Sequence, residues 1–137
     1  MGLLIDTSVF IQIERAREGP ETLLDSIGER EVFLAAISAS ELLHGVHRAD
    51  TAVRRGRRER FVESIFSLMP VLPFDLEIAR VHSRLWADLS ARGQMIGAHD
   101  LIIAATAVAH EHSVITGNVR EFDRVQDLEL VVWAPLG

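Results

Sequence analysis

The chain alternates short apolar runs of strand length with stretches of helical spacing, and this alternation constrains its fold more than any other feature. Leu3-Leu4-Ile5 ends in Asp6-Thr7-Ser8, and Val9 to Glu14 then takes up a helical pattern that stops near Gly19-Pro20. Val32 to Ile37 is a second apolar, partly β-branched run, after which Ser38 or Ser40 is placed to cap a helix carrying Glu41, Leu42, Leu43 and Val46. From Thr51 to Met69 an arginine-rich stretch passes into Phe61, Val62, Ile65, Phe66 and Leu68 at helical spacing and ends before Pro70. Val71 to Phe74 reads as a brief extended segment. Asp75 then begins an amphipathic helix with Ile78, Val81, His82, Leu85, Trp86 and Leu89 on one side, ended by Gly93. Leu101 to Ala109 is apolar all round, which predicts a helix buried on most sides. Ser113 to Thr116 is the next strand, Gly117 to Arg120 turns into a short helical piece around Phe122, and Leu130 to Trp133 is the last strand before Pro135.

Strands alternating with helices predict an α/β protein with a mainly parallel sheet covered on both faces. Such sheets bind ligands at the carboxyl ends of their strands, where the order of connection reverses, so polar residues at strand ends are the ones to weigh. The 137 residues are expected to form one domain, 1–137. The hydrophobic share of 48% beside 25% charged residues excludes disordered and fibrous classes. There is no cysteine, so neither disulfides nor thiolate metal sites are available. Neither the first residues nor the run from Leu101 to Ala109 reads as a signal peptide or membrane span, so no membrane association and a cytoplasmic location are expected.

Three carboxylates stand where apolar elements begin or end: Asp6 after the first strand, Glu41 in the helix after the second, and Asp100 in the first turn of the buried helix. Two unit negative charges 4 Å apart repel by about 4 kcal/mol at an effective dielectric near 20, so a converging acidic cluster needs a cation, a proton or separation. Oxygen donors without cysteine favour Mg²⁺ or Mn²⁺, and Mg²⁺ completes its shell with water and phosphate, which is phosphoryl chemistry. Taken singly, each acid also has an ordinary structural role: Asp6 as a helix cap, Glu41 as a surface residue, Asp100 as a favourable charge at a helix N-terminus.

The sequence around each acid resembles the PIN domain of VapC-type toxins from bacterial VapBC toxin–antitoxin systems. The matching segments are Leu4-Ile5-Asp6-Thr7-Ser8, the stretch Ile37 to Gly45 around Glu41, Ile96 to Ala107 around Asp100, and Val114 to Phe122. The third, an Asp ahead of an alanine-rich helix, is the most specific. The resemblance covers nearly the whole chain and implies an α/β/α sandwich and an Mg²⁺-dependent endoribonuclease, Mn²⁺ substituting, that cuts RNA, often tRNA or ribosomal RNA, to halt translation. It also implies a VapB-type antitoxin as partner and a homodimer. In the fourth segment many relatives carry Asp where this chain has Asn118, so the site holds three acids plus a neutral oxygen, and Glu121 and Asp123 are the nearby substitutes. The resemblance assigns Asp6 and Asp100 as principal metal ligands and Glu41 as a ligand through water or a base. Thr7, Ser8, Thr116 and Asn118 then orient these groups.

The net charge of −6 argues against a broad cationic surface. All fourteen basic residues are arginine, however, and Arg48, Arg54, Arg55, Arg57, Arg58 and Arg60 cluster within thirteen positions. This cluster suits RNA phosphates, an acidic antitoxin segment or a solvated helix face. Of the histidines His44, His47, His82, His99, His110 and His112, only His99 is expected to border the site, and no H-E-x-x-H arrangement occurs. Trp86 with Leu85 and Leu89, and Phe61 with Phe66, read as core or dimer surface. Two other functions were weighed: a catalytically weak PIN-fold binding module, and an aspartate-based phosphatase. The phosphatase needs an Asp in place of Ser8 and a lysine, and the chain has neither.

Overall fold

A computed structural model describes residues 2–134; the expected break at Pro135 lies outside the described residues. Five strands, β1 (Leu3–Ile5), β2 (Val32–Ala35), β3 (Val71–Leu72), β4 (Ser113–Thr116) and β5 (Leu130–Val132), form one sheet in the order β3-β2-β1-β4-β5. Every pairing is parallel, with Leu3 opposite Val32 and Ser113, and Thr116 opposite Val132. Helices α1 (Thr7–Arg15), α2 (Glu21–Ile27), α3 (Ala36–His47), α4 (Ala52–Leu68), α5 (Leu76–Ala91), α6 (Ala98–His110) and α7 (Val119–Phe122) provide the crossovers that parallel strands require.

Side chains on a strand point alternately to opposite faces, and here the alternation divides the core in two. Leu3, Ile5, Leu34 and Ile115 pack with Val9, Phe10, Ile13, Leu23, Leu42, Val62 and Ile65 on one face. Leu4, Ala35 and Val114 pack with Ile78, Leu85, Leu89, Leu101, Ile103 and Phe122 on the other. The result is the expected three-layer α/β/α sandwich. The α6 helix is buried along Leu101 and Ile103 to Ala107, and its one interior hydroxyl, Thr106 Oγ1, is satisfied by donating to Ile102 O at 2.8 Å.

The sequence reading and the structure differ at two places. Neither Ser38 nor Ser40 caps α3: the helix begins at Ala36 with Ala35 as its N-cap, and the fully buried Ser38 hydroxyl has no hydrogen-bond partner among the described residues. The helix α2 was not anticipated. It buries only Leu23 over seven residues, too short a pattern to register as periodic. Thr51 and Asp75 do cap α4 and α5, accepting from the N–H groups of Arg54 and Ile78.

The strand order reverses between β1 and β4, which leave the sheet's centre in opposite directions through α1 and α7. The crevice at their carboxyl ends is the topological switch point, and Asp6 and Thr116 are the residues that stand there.

Candidate active site

Asp6 follows β1 directly and is buried, yet its carboxylate does not cap α1. Its Oδ2 instead accepts from Ser8 Oγ at 2.6 Å and from Thr116 Oγ1 at 2.8 Å. Each hydroxyl is itself loaded by a backbone donor: Gly117 N–H donates to Ser8 Oγ at 3.0 Å, and Asn118 N–H to Thr116 Oγ1 at 2.8 Å. An accepted N–H polarises the hydroxyl and strengthens the bond it donates. Both relays converge on Oδ2, and among the described residues none reaches Oδ1, which stays available as a ligand.

Glu41, one turn into α3 from Ile37, faces the same crevice. Thr7 Oγ1 donates to its Oε1 at 3.5 Å, and its Oε2 lies 3.3 Å from His99 Nδ1 at the start of α6. The next residue, Asp100, is half-buried, and its carboxyl is pushed up to about 7. Burial is the main cause, followed by a hydrogen bond shared with Glu121 and by the negative charges of Asp6, Glu121 and Glu41. Glu121 is displaced the other way. The bond from Asp100 and the Gly97 N–H, 3.4 Å from its Oε2, hold its carboxyl below the usual range. Near neutral pH the Asp100–Glu121 pair therefore shares one proton. Gly97 lies against both carboxyls: a Cβ there would be 3.3 Å from Asp100 Oδ2, slightly tight, and 3.6 Å from Glu121 Oε2, an ordinary contact.

The structure thus brings Asp6, Glu41 and Asp100 together, with Thr7, Ser8 and Thr116 hydrogen-bonded to them. The side chain of Asn118 is exposed and makes no capping hydrogen bond, and its backbone N–H is what joins the network. The fourth carboxylate is Glu121, three residues on and one turn along α7. The signal for it was the helical i, i+3 spacing from Asn118.

These residues fit a divalent cation. Among the described residues no group of three or more acidic or imidazole side chains is close enough to hold a metal ion by itself; Mg²⁺ needs only one or two carboxylates and takes water and phosphate for the rest of its shell. The donors are all oxygen, and the proton that Asp100 retains is what such an ion would displace.

A cleft of about 590 Å³ leads away from Thr7, Glu41 and His99 between α1, α3 and α4. It meets a second, of about 970 Å³, lined by Arg15, Arg17, Arg48, Arg54, Arg57 and Arg58. Of the expected arginines, Arg54 pairs with Asp50 at 3.0 Å and Arg58 with Glu14 at 3.4 Å, while Arg55 turns back onto Ala49 O. Arg15 and Arg17 join the group from the end of α1, beyond the sequence cluster.

Comparison with known proteins agrees with this geometry. The PIN domain family profile matches residues 3–128. Ribonuclease VapC1 of Rickettsia felis is 37% identical over 131 residues, covering 96% of both chains. Among solved structures, VapBC2 from Rickettsia felis, bound to a DNA fragment from its promoter, superposes with a TM-score of 0.85 at 22% identity, covering 98% of this chain and 100% of the other. VapBC-5 from Mycobacterium tuberculosis, a member of the VapBC family of toxin–antitoxin systems, does so with a TM-score of 0.72 at 31% identity, covering 96% and 95%.

Proposed function

This chain belongs to the PIN-domain family, and we propose that its four clustered carboxylates hydrolyse RNA phosphodiester bonds with Mg²⁺, for which Mn²⁺ substitutes. The observation that carries this reading is the convergence of Asp6, Glu41, Asp100 and Glu121 at the switch point of the sheet. The likeness to ribonuclease VapC1 and to the VapBC complexes supports an endoribonuclease toxin whose activity is restrained by a VapB-type antitoxin. The family match over residues 3–128 supports one nuclease domain.

Hydrolysis requires a water to attack phosphorus in line while the bond to the leaving sugar oxygen breaks, giving a phosphomonoester and a hydroxyl. When bound, the divalent ion supplies charge neutralisation on the phosphate and lowers the pKa of water. Asp6 and Asp100 would hold that ion. Ser8 and Thr116 fix the orientation of the Asp6 carboxylate through Oδ2. Glu41 accepts the proton of the attacking water at a carboxylate oxygen, within reach of His99 Nδ1. Glu121 stabilises the ionisation state of Asp100 through their shared proton.

The arginine-lined clefts, including Arg48, Arg54, Arg57 and Arg58, supply positive charge for RNA phosphates or an acidic antitoxin segment on a chain of net charge −6. The exposed Trp86, with His82 and Phe74 set edge to face beside it, offers a homodimer surface. The likeness to ribonuclease VapC1 supports action in the cytoplasm; among the described residues no helix is long and apolar enough to cross a membrane.

The test is conditional expression. Production of the chain is expected to arrest growth with loss of intact RNA, and co-expression of the cognate antitoxin to restore growth. The Asp6→Asn variant is expected to be harmless. Arrest by Asp6→Asn as strong as by the natural chain would contradict the assignment.

A further inference from the structure

The two relays that load Asp6 both start in the turn Thr116-Gly117-Asn118, so the position of that turn decides whether they form. Gly117 N–H must reach Ser8 Oγ and Asn118 N–H must reach Thr116 Oγ1 at the same time. No side chain of the turn other than Thr116 contributes, because residue 117 is glycine and the Asn118 side chain is exposed. On one side Trp133 N–H holds Thr116 O at 2.8 Å, and on the other the group packed against the turn is Gln12. Gln12 stands one helical turn after Ser8 on α1, so both side chains lie on the same face of the helix. A Cβ built on Gly117 collides with Gln12 Nε2 and lies 3.5 Å from Gln12 Cδ and 3.7 Å from Ser8 Oγ. The carboxamide thus fills the space that any larger residue at 117 would take. Gln12 Oε1 is buried with no hydrogen-bond partner among the described residues, an arrangement that favours the unfolded, hydrated amide and calls for a compensating role.

We propose that Gln12 is a positioning residue for Asp6: its carboxamide wedges against Gly117 and holds the 116–118 turn where both N–H groups load the hydroxyls bound to Asp6 Oδ2. The wedge acts by shape, since among the described residues none hydrogen-bonds the buried Oε1 of the amide. It rests on the metal-site reading only for its effect on metal affinity; its effect on the turn is independent of any metal. Gln12 touches neither substrate nor the reacting atoms, so its loss changes kcat and metal affinity rather than the affinity for RNA.

The experiment is a double-substitution cycle with Gln12→Ala, Gly117→Ala and the pair, together with Gln12→Met. Hydrogen exchange of the Gly117 and Asn118 amides is read by NMR without metal, and Mn²⁺ affinity is read by titration. Either single alanine is expected to deprotect both amides and weaken Mn²⁺ binding about tenfold, the scale seen when groups supporting a metal ligand are lost. The pair is expected to recover part of both losses, because the new Cβ occupies space that Gln12 vacates. Gln12→Met, which keeps the bulk without the amide, is expected to behave as the natural chain, with KM for RNA unchanged in every folded variant. Strictly additive losses in the pair, or a Met variant as impaired as Ala, overturns the proposal. If the natural chain binds no Mn²⁺, the metal reading fails, and the amide exchange still decides whether Gln12 holds the turn.

Discussion

Replacing Asp100 with Asn removes the one carboxyl whose ionisation the fold opposes near neutral pH. Folding raises this acid from 3.8 to about 7, so between those values the native state holds a proton that the unfolded chain has released. Stability from this group is therefore present at low pH, declines as pH rises above 3.8, and is fully lost above 7. A displacement of about three pK units at 1.36 kcal/mol each sets a ceiling near 4 kcal/mol, and half-burial reduces it by solvent screening to about 2 kcal/mol. For a chain of this size that corresponds to a melting temperature about 6 °C higher for Asp100→Asn at pH 8.5. Thermal unfolding followed by circular dichroism in EDTA, at intervals from pH 5 to pH 8.5, measures it. The natural chain is expected to lose stability relative to Asp100→Asn across this window, and added Mn²⁺ to restore stability only to the natural chain. An Asp100→Asn variant no more stable than the natural chain at pH 8.5 without metal would refute the reasoning, because the four carboxylates would then not be in electrostatic contact.

Two further substitutions probe the same network, and a third the far end of the sheet. Thr116→Val removes one hydroxyl from Asp6 Oδ2 and strands the Asn118 N–H, so Mn²⁺ affinity should fall about tenfold and unfolding in urea should show a loss of about 1–2 kcal/mol. Glu121→Gln removes a neighbouring charge and a partner for the Asp100 proton, so the midpoint of proton release on Mn²⁺ binding, followed with an indicator dye, should move below 7; an unmoved midpoint would place Glu121 outside the site. At the opposite end of the sheet, His112 accepts from Gly2 N–H at 3.1 Å and stacks on Phe33, and burial first, then His110, hold its imidazole below the ordinary range. Its stabilising effect belongs to the neutral form and is lost as pH falls through 6.5. In the Asp100→Asn background, changing His112 to Asn should flatten the melting temperature between pH 7.5 and 5.5 by roughly 2 °C.

The layered architecture was legible because parallel strands leave long apolar signatures. Leu3 to Ile5 and the all-apolar face of α6 can only be interior, and their order along the chain implies helical crossovers. Asp6, Glu41 and Asp100 were legible because Asp6 ends an apolar run, Asp100 opens one, and Glu41 lies in the helix that follows one. The role of Asn118 was not, since sequence position fixes where its backbone lies and not which of its atoms is used. Glu121 was visible only as a nearby acid: its part depends on the approach of Asp100 and of the Gly97 N–H, a contact across 24 residues. Neither α2 nor the absence of a cap on α3 left a trace, because a single buried Leu23 gives no period and Ala36 and Ile37, which open α3, read as the end of the apolar strand run. Gln12 reads from sequence as one polar position on an amphipathic helix, and only the closeness of Gly117 distinguishes it.

Cleavage itself tests the central claim most directly. Purified protein incubated with cellular RNA and Mg²⁺ or Mn²⁺ should cut it, and a chelator, Asp6→Asn or Asp100→Asn should each reduce cutting by at least the roughly 100-fold expected on losing a metal ligand or the metal. Cleavage that persists undiminished in the chelator or in either variant would contradict a metal-dependent site built on these carboxylates.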